Sequence, residues 1–154
     1  MKYLIIFYAF FLLSGCADDF EWSDTGYPEP TGEIKVTTQL GIQVNYQDDN
    51  ISDNEVSLIV DSAWVDTQNC TGIFKHPTTP FIIEFFNEQL PEAYAVGLPD
   101  IVYIRVGTYE LYRLHPRTLK HEMTHILLWI NGVSGYANWD HGSPLFDKCS
   151  SNPP

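Results

Sequence analysis

LKHEMTHILLW, residues 119–129, sets two histidines four apart, with a glutamate directly after the first. Leu119, Met123, Ile126, Leu127 and Ile130 recur at helical spacing through the same stretch. Pro116 suits the first turn of that helix, and Gly132 offers a stop. On such a helix His121 and His125 project from one face, one turn apart, so both imidazoles can reach a single ion. Glu122 can turn toward the same space. Zinc takes neutral imidazole nitrogens, and a catalytic zinc site leaves one position for a water whose proton a neighbouring carboxylate can accept. Two histidines satisfied inside a core would produce the same spacing. A central helix cannot bury two imidazoles and a carboxylate without partners, because each unpartnered polar group costs about 1–3 kcal/mol. The reading of the fold therefore turns on what surrounds this helix.

Upstream, IKVTTQLGIQVNY (34–46) alternates apolar and polar residues and predicts one or two strands. Ser52 and Glu55 form a capping-box pattern, and Val56, Ile59, Val60, Ala63 and Trp64 follow at helical spacing, which predicts a helix over 53–68. PFIIEFF (80–86) and IVYIRVG (101–107) are β-branched and aromatic and predict two strands. NEQLPEAYAVGLPD (87–100) reads as a loop, and TYELYRL (108–114) fits a strand or a short helix. Strand, helix, strands, helix is the order of an α+β layered domain, with two main helices and the histidines on the second.

The N-terminus is of another kind. MKYLIIFYAFFLLSGC (1–16) carries one early Lys and then an apolar run too short to span a membrane comfortably, and reads as a secretory signal. Leu13-Ser14-Gly15-Cys16 resembles the lipobox of bacterial lipoproteins. That resemblance implies cleavage after residue 15, a lipid on Cys16, and attachment to the bacterial cell envelope, at the outer membrane or its periplasmic face. An uncleaved N-terminal anchor helix is the other reading. The acidic, proline- and glycine-containing stretch that follows reads as a tether over 16–33, leaving 34–154 as the folded domain. A formal charge of −12 makes the chain a poor candidate for nucleic acid or an anionic membrane surface, so the lipid rather than charge would hold it at a membrane. With Cys16 lipidated, Cys70 and Cys149 remain, and two cysteines in an oxidising compartment predict one disulfide, with two buried free thiols as the alternative.

The H-E-x-x-H stretch resembles the zincin superfamily of zinc metallopeptidases. The resemblance implies a compact domain in which this helix packs beside a mixed sheet, one zinc per chain, and an edge strand that holds substrate in extended form. Zincin subfamilies differ in the third ligand. The chain has no Glu after Glu122 for a gluzincin pattern, and Leu128 and Asn131 stand where metzincins have Gly and His. Asp140 and Asp147 are available for an aspzincin pattern. His141, in NWDHGSPLF (138–146), resembles the third-ligand segment of SprT-like zincins, where a His is followed by Gly and then an aromatic. This makes His141 the expected third ligand, with Asp140 as the alternative. The match covers residues 121–146. SprT-like proteins are mostly intracellular and often basic, so their nucleic-acid context does not carry over to this acidic chain.

The implied activity is hydrolysis of a protein or peptide substrate by a zinc-activated water, with Glu122 as general base and Tyr136 as a candidate oxyanion donor. Tyr136 fits an ordinary loop or core aromatic equally well. A zincin-fold binding or assembly lipoprotein, with structural zinc or none and no turnover, is the alternative function. A metal-free surface lipoprotein that uses its acidic face is a third. The chain is expected to be a monomer. His76 and His115 read as structural or surface residues, and Trp129 and Trp139 as packing residues.

Overall fold

A short hairpin begins the folded part of the chain. The computed structural model describes residues 29–87, 93–132, 141 and 144–150. The signal stretch, Cys16 and most of the tether lie outside the described residues. Strand β1 (Val36–Thr37) turns back into β2 (Gln43–Tyr46), antiparallel, with Val36 opposite Val44. Helix α1 (Asp53–Thr71) starts at the expected capping box: Ser52 accepts from the Glu55 amide, and the Glu55 carboxylate accepts from the Ser52 amide. It runs three residues beyond the predicted end and stops at the left-handed Gly72.

The predicted strands at 80–86 and 101–107 are β3 (Phe81–Phe86) and β5 (Val102–Gly107). Both run parallel to β2 at the centre of a five-stranded mixed sheet of order β1-β2-β3-β5-β4. Central strands favour apolar, β-branched and aromatic residues, which FIIEFF supplies at every position but Glu84.

Two features of the sequence reading need correction. The stretch 87–100 is not all loop, because Tyr94–Gly97 forms β4, an antiparallel edge strand on β5. Four residues between prolines and glycine carry too little alternation to register as a strand; the neighbouring β5 ladder supplies the hydrogen bonds that make them one. A third helix, α3 (Pro144–Ser150), follows the two that were expected. The ambiguous 108–114 stretch resolves as a 3-10 helix over Thr108–Tyr112. Helix α2 (Arg117–Ile130) then carries His121, Glu122 and His125, and ends just before Gly132 at φ +68°.

Helices α1 and α2 cover the same face of the sheet. Phe81, Val102 and Gly97 lie in one row across β3, β5 and β4. Trp64 of α1 packs edge-on against Phe81 at 5.1 Å, and Trp129 of α2 lies over Gly97. A Cβ on Gly97 would stand 2.8 Å from the Trp129 ring, so only glycine admits α2 this close to the edge strand. Ile83, Phe85, Ile104 and Val106 fill the core beneath, together with Val60, Leu119, Met123 and Leu127 from the two helices. The opposite face carries a polar row in register across four strands: Asn45, Glu84, Arg105 and Tyr94. Glu84 accepts from Asn45 and pairs with Arg105, which also donates to the Tyr94 hydroxyl.

Candidate metal centre

Helix α2 brings almost nothing of its own to satisfy its first turn. Its N-cap is Pro116, which makes no side-chain cap. The four amides at a helix start need acceptors, and Glu110 in the preceding 3-10 helix provides one. Its fully buried carboxylate accepts from the Thr118 amide at 2.9 Å, the Leu119 amide at 3.2 Å and the Thr118 hydroxyl at 3.1 Å. A negative charge here also complements the positive end of the helix dipole. Arg113 lies 3.3 Å from the same carboxylate. Within the same turn, Lys120 reaches across to Asp66 of α1 at 2.7 Å. Glu110 and Lys120 thus fix the first turn, and the Trp129–Gly97 contact the last, of the helix that carries the histidines.

The three histidines predicted as ligands come together. His121 and His125 rings stand 5.1 Å apart by centroid, as the i, i+4 spacing requires. His141, distant in sequence, brings its ring to 5.0 Å from His121 and 5.3 Å from His125. One ligand atom from each of the three lies within 4.8 Å of the others. His121 Nε2 and His141 Nε2 are 3.0 Å apart. The Phe146 ring, from α3, packs against all three imidazoles, with centroids at 4.9 Å from His121, 4.4 Å from His125 and 5.0 Å from His141.

The donor set fits a tetrahedral cation. Around zinc, with ligand nitrogens at about 2.0–2.1 Å, neighbouring nitrogens stand roughly 3.3 Å apart. The His121–His141 pair is slightly inside that spacing, and all three ligand atoms lie within 4.8 Å of one another. Burial, with the neighbouring His141, pushes the His121 imidazole down to a pKa of about 4. His121 is therefore neutral near pH 7 and keeps the lone pair a metal needs.

Glu122 points to the buried side of the same helix and is 6% exposed. Burial raises its carboxyl to a pKa of about 8. No hydrogen bond joins that carboxyl to another of the described residues, and burial is the cause of the shift. Glu122 thus follows the first of the three histidines on the same helix, on its buried side.

Tyr136, Asp140 and Trp139 lie outside the described residues, so the oxyanion assignment and the alternative third ligand have no described position. Asp147 is exposed on α3 and is not part of the histidine cluster. His115 is exposed, and His76 stacks edge-on with Trp64 at 5.5 Å and Phe81 at 6.1 Å. Cys70 and Cys149 form the expected disulfide, with Cα atoms 5.6 Å apart. Glu110 and Phe146 are the residues whose roles the sequence did not reveal. No spacing rule links a 3-10 glutamate to the next helix, and the aromatic of HGSPLF gives no sign in one dimension of which rings it touches.

The chain matches no protein-family model, no curated protein and no solved structure. The chemistry of the site therefore rests on its own geometry.

Proposed function

We propose that the protein is a zinc-dependent peptidase, attached to the bacterial cell envelope through a lipid on Cys16. The observation that carries this reading is the convergence of His121, His125 and His141 at the helix that also carries the buried Glu122. His121, His125 and His141 would hold the ion, whose chemistry is to acidify a water and polarise a carbonyl. Glu122 accepts the proton of the attacking water and returns it to the leaving amine. Its raised proton affinity suits that return step. Strand β4 has no partner strand on its outer side among the described residues, and it lies against α2. An extended peptide could add to this edge by main-chain hydrogen bonds.

A second reading is favoured by the depth of Glu122: a carboxyl this buried also suits a metal-binding protein without turnover. One pair of measurements separates the two. Purified protein is expected to hold about one zinc per chain, and Glu122→Gln to keep that zinc while losing cleavage of a denatured protein substrate by about a hundredfold or more. A variant as active as the parent would remove Glu122 from the chemistry, and a parent that holds zinc without cleaving any of a panel of denatured proteins and peptides would favour the binding protein.

A further inference from the structure

The three donors are not held alike. His121 and His125 belong to a fourteen-residue helix packed on the sheet and alongside α1. His141 lies just ahead of α3, which has seven residues. A helix that short does not persist without tertiary anchors. Among the anchors of α3 are Phe146 and Cys149, three residues apart and so on one face, with Leu145 also packed on the core. Phe146 is almost fully buried and forms the wall behind the three imidazoles. Cys149 is bonded to Cys70 in the last turn of α1. The only covalent tie between α3 and the rest of the domain, other than the chain itself, thus lies one helical turn from the residue that packs the metal donors.

We infer that the Cys70–Cys149 disulfide is a redox latch on the metal centre: closed, it holds Phe146 and His141 in place for three-donor binding, and opened, it releases the third donor. This rests on the reading of the three histidines as a metal site. Cys70 is half-buried, so a dithiol reductant has a sulfur within reach. A thiolate of that reductant attacks Cys70 Sγ, the S–S bond breaks, and its electron pair leaves on Cys149 Sγ, which takes up a proton. The second thiolate of the reductant then attacks its own bonded sulfur and releases the Cys70 thiolate, which is protonated in turn. Two electrons and two protons pass to the protein, and the dithiol becomes a disulfide. Non-covalent contacts then hold α3. His121 and His125 keep their places on α2, but two imidazoles bind a metal more weakly than three.

The test is the zinc affinity of the full chain by chelator competition, comparing the oxidised protein with Cys70→Ser/Cys149→Ser, which cannot close the bridge and has no thiol at either position that could bind zinc itself; Cys16 is common to both proteins. The expected result is a loss of about 10- to 100-fold in affinity, the range seen when supports of metal ligands are removed. In a His141→Ala background the same double substitution should cause no further loss, because the donor it releases is already gone. Equal affinities with the bridge closed and open would overturn the latch, as would an equal loss with and without His141, which would mean general loosening. Far-UV circular dichroism checks that the double variant folds. If it does not, the same comparison is made on parent protein reduced with a phosphine, freed of reductant, and held well below its melting temperature. An oxidised parent that takes up no zinc would overturn the metal reading and the latch together, whereas zinc binding indifferent to the bridge would overturn the latch alone.

Discussion

Glu122 and His121 are neighbours in sequence whose environments drive their proton affinities in opposite senses. Burial disfavours the charged form of each, which raises a carboxyl and lowers an imidazole. In the metal-free protein the consequences for stability follow from the proton balance. Between pH 4.5 and about 8 the Glu122 carboxyl is ionised in the unfolded chain but still protonated in the folded one. The folded state then binds more protons, so stability falls as pH rises through that window. Between about pH 4 and 6.5 His121 is protonated in the unfolded chain and neutral in the folded one, so its contribution is lost as pH falls. The two effects oppose each other at acid pH, and above pH 6.5 Glu122 acts alone. Thermal melts of chelator-treated protein should therefore show Tm decreasing from pH 6.5 to 8, and Glu122→Gln should flatten that decrease. A slope unchanged in the variant would assign it to other groups.

At the scale of elements, α2 depends on a residue outside itself. Glu110 supplies the acceptor that Pro116 cannot, and it does so from a 3-10 helix seven residues before α2 begins. Glu110→Ala leaves two amides and a hydroxyl at the helix start without their acceptor and removes a charge from the favourable end of the dipole. The expected cost is about 1–3 kcal/mol in urea denaturation. Metal affinity should fall along with it, since the first histidine lies only a turn further on. Both long helices were legible from their periodicity, and α1 also from its capping box. The central strands were legible from their apolar runs. Strand β4 and helix α3 were not, because neither is long enough to show a period, and each exists by pairing or packing with a distant partner.

Across the whole molecule the sheet separates two kinds of interior. One face is apolar and carries the helices; the other bears the row of Asn45, Glu84, Arg105 and Tyr94. The Glu84 and Arg105 side chains are only 6% and 12% exposed, so neither can lose its partner cheaply. Glu84→Ala should destabilise the protein by about 3 kcal/mol by chemical denaturation, as expected when one member of a buried ion pair is deleted. Zinc affinity measured under native conditions should be unchanged, because the row faces away from the helices. The sequence by itself determined the α+β class and the histidine pair with its glutamate, since helical and strand periods and the i, i+4 spacing are local quantities that survive in one dimension; the third histidine was an expectation from a family resemblance, and the disulfide one from the cysteine count. Only the tertiary structure decided that His141 meets His121 and His125, that Phe146 backs all three and that Glu110 caps α2, because each contact joins segments whose separation in space is set by how the helices and sheet pack.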